Sequence, residues 1–330
     1  VDLTLSDEQR SIIESVRGVL AATMPIEQVR AALTGDRSGV DRLWAQAAEL
    51  GWFGLGLAEH YGGTGLDLVD EALLFKEVGR HVVPGPLLGT VLGARVAAVG
   101  GNAAAAAEIL AGRARVGIAV VQPSGRYVLH DATGATYLLV SGPERAALLP
   151  ASAASARHEL ASIDELSTRE AADLTIDPVA EVADSFDPIH ARGCTLVAAI
   201  LVGIAEATRD MSVSHAKTRE QFGAAIGSFQ AIKHRCADMA VTAALADAQL
   251  LFAALSVGEA QPDADLQVAA ARLVASRTAL SNARETIQVH GGIGFTWECD
   301  AHLYMKRTHA LRELFGGGHD HRRTLLTATG

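Results

Sequence analysis

Val116-Gly-Ile-Ala-Val-Val-Gln-Pro-Ser-Gly-Arg-Tyr-Val-Leu-His-Asp-Ala-Thr-Gly-Ala-Thr-Tyr-Leu-Leu-Val140 is where the chain changes its rhythm. Val116 to Val121, Tyr127 to His130 and Ala135 to Val140 are short β-favouring runs, bounded by Pro123-Ser-Gly, Ala132-Thr-Gly134 and Gly142-Pro143. A further run at Ala171 to Ile176 extends this β-region toward Pro188. On both sides the apolar residues recur at helical spacing instead. Upstream, Ser6-Asp7-Glu8-Gln9 is a capping box that opens a helix through Ile12, Ile13, Val16 and Leu20. Residues 41–50 and 69–79 repeat the amphipathic pattern around a Gly-rich segment, Gly54 to Gly65, and Ala103 to Ala111 is a strong helix former. Downstream, the spacing predicts long helices over 188–217, 229–257 and 265–288 and a shorter one over 301–314. Leu266, Leu273, Leu280 and Ile287 recur every seven residues, a stripe expected to pack against neighbouring helices. The expected fold is mainly α with a small β insert: a helical domain over 1–114, a short β-domain over 115–187 and a four-helix bundle over 188–330.

Composition excludes several classes of function. The chain has 330 residues, 49% hydrophobic and 20% charged, enough to bury a sizeable core and far from the disordered corner. A net charge of -10 gives no overall field toward nucleic acid or anionic lipid. Cys194, Cys236 and Cys299 form no CxxC and no zinc spacing, so they read as reduced thiols of a cytoplasmic protein. Val1 to Arg10 is acidic and polar, unlike a secretory leader. The longest uncharged apolar stretch, Leu196 to Ala205, is shorter than the roughly 20 residues that span a bilayer, so no membrane span is expected. Walker A, HExxH, GxSxG and complete GxGxxG motifs are absent. His319-Asp320-His321 alternates in a Gly-preceded, charged tail and reads as a solvated helix start, so no metal is expected.

The segments that suggest chemistry are Thr218-Arg-Glu-Gln-Phe-Gly223, then Ser228-Phe-Gln230, and later Gln288-Val-His-Gly-Gly-Ile-Gly-Phe-Thr-Trp-Glu298. An Arg at the end of a long helix, with glycines that let a backbone approach a ligand, suits a pyrophosphate. Singly, each has a plainer reading: a helix-end Arg serves the helix dipole, and a GGxG loop is a C-cap and turn.

In this order and on this domain pattern the segments resemble the acyl-CoA dehydrogenase family. Leu5-Ser-Asp-Glu-Gln9, Glu49-Leu-Gly-Trp-Phe-Gly54, Glu59-His-Tyr-Gly-Gly63 and Glu77-Val-Gly-Arg80 carry the likeness through the first domain. The resemblance implies FAD as cofactor and α,β-desaturation of an acyl-CoA thioester. A carboxylate takes the α-proton and the β-hydride goes to the flavin. It implies that Arg219, Gln230 and the backbone of Gln288, Val289, His290, Gly291 and Gly292 hold the ADP half of an FAD bound mainly by a neighbouring subunit, with Phe222 beside the cofactor. The family's base is expected nine residues after an Arg, and counting from Arg307 that position is Gly316, after Phe315. The alternative position on the first bundle helix is Gly193, beside Cys194. Neither can accept a proton. In the β-domain, Val121-Gln-Pro-Ser-Gly125 stands where the family carries a Thr-Glu-Pro…Gly-Ser stretch, and the flavin-covering remainder is shortened.

The chain thus resembles the short, base-lacking subunit of actinobacterial heterotetrameric acyl-CoA dehydrogenases, some acting on steroid side-chain CoA esters. The implied partners are a homologous base-bearing subunit, the acyl-CoA and an electron-transferring flavoprotein. Two alternatives stand beside it. One is a self-sufficient homo-oligomer with a displaced base, Glu313 or Asp320. The other is a flavin-free structural subunit.

Overall fold

The computed structural model describes residues 3–328; Val1 and Asp2 of the leader reading, and residues 329–330, lie outside the described residues. The Ser6 capping box forms: Ser6 Oγ accepts from the Gln9 N–H and Gln9 Oε1 from the Ser6 N–H, each at 3.1 Å. It opens α1 (Asp7–Thr23), followed by α2 (Ile26–Leu33) and α3 (Ser38–Glu49). A second box, Asp67 with Asp70, opens α4 (Leu68–Arg80). Then come α5 (Leu87–Val99) and α6 (Ala103–Leu110). Helix α5 escapes a periodicity reading because it is apolar on every side, and it is buried along nearly its whole length.

The β-region is one seven-stranded sheet. Its strands are β1 (Val116–Val121), β2 (Tyr127–His130), β3 (Tyr137–Ser141), β4 (Arg145–Pro150), β5 (Ala154–Glu159), β6 (Arg169–Leu174) and β7 (Ala180–Ala183), in the order β5-β6-β2-β1-β3-β4-β7. Strands β1 and β3 pair in parallel, and the other neighbours are antiparallel. Alternation along the strands sorts side chains by face. Leu139 and Leu148 join the large core under the helices, while Leu138 and Leu149 join a small core on the far face with Leu129 and Ala172. Strands β4, β5 and β7 were not foretold by the residue pattern, and β6 begins two residues before the expected Ala171.

The last part holds α7 (Ile189–Thr218), the two-residue strands β8 (Glu220–Gln221) and β9 (Ala224–Ala225), α8 (Gln230–Gly258), α9 (Ala264–His290), α10 (Ala301–Leu311) and α11 (Gly318–Ala328). Helices α7 and α8 are long and apolar enough to cross a membrane by length and composition alone, a test that the ten-residue stretch of the sequence did not reach. The apolar window of α7 is 89% buried inside the bundle, which accounts for its hydropathy; that of α8 is 44% buried. The heptad stripe of α9 needs correction. Leu266, Leu273 and Leu280 are only half-buried, and the face turned inward is Val268, Ala271, Ala275, Ala279, Ala283 and Thr286. Small residues let α9 lie close to α7 and α8, and the leucines flank that contact.

One crossing joins the N-terminal helices to the bundle. A Cβ on Gly79 of α4 would stand 2.0 Å from the Ile200 carbonyl oxygen of α7, and one on Gly203 of α7 would stand 1.9 Å from the Lys76 carbonyl oxygen of α4. Each helix therefore presents bare backbone to the other. Charged side chains flank the contact: Lys76 Nζ meets Asp247 at 2.9 Å, and Arg80 meets Glu206 at 2.9 Å and Asp210 at 2.7 Å. Glu77, with no exposed surface, is held by the Arg17 fork of α1 at 2.7 and 3.2 Å. Gly203→Ala should force the helices apart and lower unfolding free energy by about 3 kcal/mol, as overpacked sites do. Gly18→Ala, with nothing within 4 Å of its Cβ, should instead add up to about 1 kcal/mol through helix propensity. Urea titration of the two variants checks the contrast.

Candidate functional site

The predicted clamp lies at one end of the bundle. Arg219 is the C-cap of α7 and has left helical geometry (φ -78°, ψ 125°). Its N–H donates to the His215 carbonyl and its own carbonyl accepts from Ile226 N–H, both at 2.8 Å, closing the β8–β9 hairpin. One turn earlier, His215 stacks on His290 with ring centroids 4.1 Å apart. That stack ties the end of α7 to the end of α9, so Arg219 and the His290-Gly291-Gly292 turn share one surface. The His215 ring is held below its ordinary pKa by burial, then by His290 and Arg219, which favours its uncharged form. Arg219 is exposed, and among the described residues no carboxylate pairs with it.

Gln230 is the first residue of α8, and its N-cap, Phe229, makes no side-chain capping bond. The start of a 29-residue helix thus offers uncapped N–H groups beside the end of α7, where Gly227 packs against Ala216. Nothing lies within 4 Å of a Cβ placed on Gly223, Gly291 or Gly292, so their backbone is open to a ligand. An unpaired guanidinium, an uncapped helix start and open glycine backbone suit a pyrophosphate. Gln288 is exposed; Val289 is buried, so it can offer only backbone. Phe222 sits at the hairpin tip with φ +56°, 94% exposed and edge-on to Phe229 at 6.1 Å.

The two glycines at the expected base positions lie against one turn. A Cβ on Gly193 would stand 2.7 Å from the Phe315 ring, and Cys194 Sγ donates to the Phe315 carbonyl at 3.3 Å. Gly316 has φ +99°, a conformation that L side chains avoid, and a Cβ there would lie 3.6 Å from His321 Nε2. A side chain at 193 would displace Phe315, and one at 316 would strain the turn. Glu313 is exposed and pairs loosely with Arg312 at 3.6 Å; Asp320 accepts from Gly317 N–H at 3.1 Å. His321 does not sit in solvent as its charged neighbourhood suggests: it is 8% exposed and packs under Arg272. Among the described residues no cluster of three metal-ligating groups is found.

Beside this turn lies a cavity of about 330 Å³, lined by Phe315, Gly316, Cys194, His190, Asp184 and Asp265 among others. Burial raises the Asp184 carboxyl, against a backbone bond from His190, and Asp265 adds to the rise; Asp184 Oδ1 is buried without a partner. A second, mainly apolar cavity lies between α4, α5, β1 and α10 and holds only about 50 Å³. Arg307 and Asp164 close it with an ion pair at 2.5 Å, and Asp131 lies beside them with its carboxyl raised by burial against the pull of Arg307. Ligand pockets run to about 300–1,000 Å³, so this space does not admit an acyl chain.

Family models described as "Acyl-CoA dehydrogenase, N-terminal domain" and "Acyl-CoA dehydrogenase, C-terminal domain" match residues 6–116 and 190–328. Acyl-CoA dehydrogenase IpdE2 of Mycobacterium tuberculosis is 36% identical over 320 residues, covering 94% of each chain. The chain belongs to the acyl-CoA dehydrogenase family. IpdE2 of Mycolicibacterium smegmatis is 32% identical, covering 94% of this chain and 96% of its own. Among solved structures, the Tcur3481-Tcur3483 steroid ACAD superposes with TM-score 0.85 at 25% identity, covering 99% of this chain and 98% of that one. A chain of the ChsE4-ChsE5 complex from Mycobacterium tuberculosis has TM-score 0.85 at 21% identity, covering 100% and 99%, which shows the fold alone.

As an acyl-CoA dehydrogenase the protein is an FAD-dependent oxidoreductase of lipid metabolism. Sequence reasoning located Arg219 and the glycine turn but missed His215, whose place four residues before Arg219 was the available signal. It also missed Asp184 and the Arg307–Asp164 pair. No local pattern links residues 143 positions apart, which meet only through the packing of α10 on the sheet.

His321 beside Gly316 and His130 on β2 are both pushed down from 6.5 to about 4, by burial first and then by Arg272 and Arg169 respectively. The folded protein resists protonating these rings, so the unfolded chain takes up protons first as acid is added. Their contribution to stability is complete above about pH 6.5 and is lost as pH falls through about 4. The urea midpoint should decline across that window, and His321→Gln should make the decline shallower.

Proposed function

We propose that this chain is the base-lacking subunit of a hetero-oligomeric acyl-CoA dehydrogenase, pairing with a homologous, base-bearing subunit in a heterotetramer. The observation that carries the reading is that Gly193 and Gly316 lie against one turn, closed over by Phe315, leaving no carboxylate at either customary position. Removal of the α-proton then falls to the partner's carboxylate. FAD, when bound, takes up the β-hydride of the thioester. This chain's part is binding: Arg219 neutralises pyrophosphate charge, the start of α8 at Gln230 donates N–H groups, and the Gln288 to Gly292 backbone lines the nucleotide. Phe222, exposed at the hairpin tip, covers the cofactor in the assembly. The domain division at 114 and 187 and a cytoplasmic location belong to the same reading.

The Tcur3481-Tcur3483 steroid ACAD, two-component by its name, supports pairing and a steroid CoA ester as substrate. An electron-transferring flavoprotein is the acceptor in this reading.

Co-expression with the neighbouring dehydrogenase subunit should give yellow, thioester-oxidising protein, and the chain alone should be colourless and inactive. Within the complex, Arg219→Ala should weaken FAD by about 1.5–3 kcal/mol, roughly 10- to 150-fold, read as flavin retained on gel filtration. Unchanged retention overturns the assignment of Arg219.

A second reading, a self-sufficient enzyme with a displaced base, gains one observation: Asp184, with its raised pKa, lines the cavity beside Gly316. It requires that the unaccompanied chain desaturate a thioester, with Asp184→Asn, Glu313→Gln or Asp320→Asn lowering kcat at least a hundredfold, about 2.7 kcal/mol. Inactivity of the chain alone, with full activity of the Asp184→Asn complex, removes it.

A further inference from the structure

Helix α9, the end of α10 and α11 enclose a groove of about 540 Å³ that none of the clamp residues lines. Its walls carry Arg272, Arg277, Arg284, Arg312, Arg322 and His321. The one carboxylate of its lining, Glu285, is held by Arg235. Among the described residues, the carboxylate that Arg312 reaches is the exposed Glu313, at 3.6 Å. Among the described residues, Arg277, Arg284 and Arg322 have no carboxylate partner. Five arginines so gathered stand out in a chain of net charge -10. Their field reaches His309, which is held down by burial and then by Arg312 and Arg284.

Arg272 supplies a second, independent observation. It is wholly buried, and its Nη2 donates to the Leu314 carbonyl at 2.8 Å and to those of Arg312 and Gly316 at 3.3 Å. No carboxylate pairs with it among the described residues, and its Nη1 is buried with no partner. An arginine keeps its charge when buried, and an uncompensated buried cation is costly. An anion in the groove offsets that cost.

The geometry points to a second anion site on this chain, one that takes a pyrophosphate-bearing nucleotide. Guanidinium forks grip phosphate oxygens in pairs, and several around one groove suit two linked phosphates better than a single carboxylate. Leu273 and Leu280, half-buried along the same face of α9, give a base or ribose an apolar floor. The volume falls in the range of small-molecule sites, about 300–1,000 Å³. A flavin dinucleotide and a CoA thioester share this pyrophosphate chemistry.

ADP is the probe, titrated calorimetrically into the Arg219→Ala protein in whatever oligomeric form it purifies, so that the clamp does not contribute. Saturable binding is expected, weakened at least tenfold by the added pair Arg277→Gln and Arg284→Gln. Tighter displacement by CoA than by FAD assigns the groove to the thioester's nucleotide; the reverse order assigns it to the flavin's. Absence of saturable binding, or equal affinity in the groove variant, overturns the site. Dissociation of the oligomer in the groove variant, with ADP affinity unchanged, overturns it in favour of an acidic protein surface.

Discussion

The backbone contact between α4 and α7, made through Gly79 and Gly203, sets how the first helices meet the bundle and the turn around Gly316. With α4 pressed on α7, the carbonyls at its end become anchors for α10. Tyr304 donates its hydroxyl to the Arg80 carbonyl at 2.9 Å, and Arg307 Nη1 donates to Val83 at 3.2 Å. Arg307 then reaches across to Asp164 and fastens the loop before β6. The turn after α10 is thereby delivered onto α7, where Phe315 fills the place of a side chain on Gly193. A shift in the first contact would propagate to the last, because close-packed interiors do not deform smoothly.

The two ends of the bundle are built on opposite principles. At the sheet end, charges are buried in pairs: Arg307 with Asp164, and Arg192 with Glu71, each at 2.5 Å. Such pairs add little net stability, but breaking one leaves a buried charge uncompensated, so they lock the arrangement. Arg307 and Asp164 also line a cavity of about 50 Å³. At the far end the donors are left open: Arg219, the start of α8, and the glycine turn after α9. The bundle is thus pinned by buried ion pairs at one end and leaves an exposed guanidinium and open glycine backbone at the other.

Helix α9 links both themes. Its inward face of Ala, Val and Thr lets it pack on α7 and α8, and its C-terminal turn carries His290 onto His215. Its outward face carries Arg277 and Arg284 beside half-buried leucines. The same helix therefore supplies the core face, the end that stacks His290 on His215 and one wall of the arginine-lined groove, separated by where each residue leaves the axis.

Much was legible in the residues themselves. The capping box at Ser6, the change of period at Val116, the long helical runs after Pro188 and the glycines at 193 and 316 are local facts, governed by spacing and backbone preference. Arg219 as a helix-end arginine and the glycines of the Gln288 to Gly292 turn were legible for the same reason. Helix α5 and strands β4, β5 and β7 were not, since burial on all sides or a run of few residues leaves no period to read. Which of the periodic faces of α9 turned inward was also beyond the residues, because a leucine stripe and an alanine stripe compete and close helix approach favours the smaller. Tertiary structure alone brought Gly193 to Phe315, Arg307 to Asp164 and His215 to His290, for contacts across long separations depend on how helices cross. The sequence determined what each segment could be; packing decided which side chains meet.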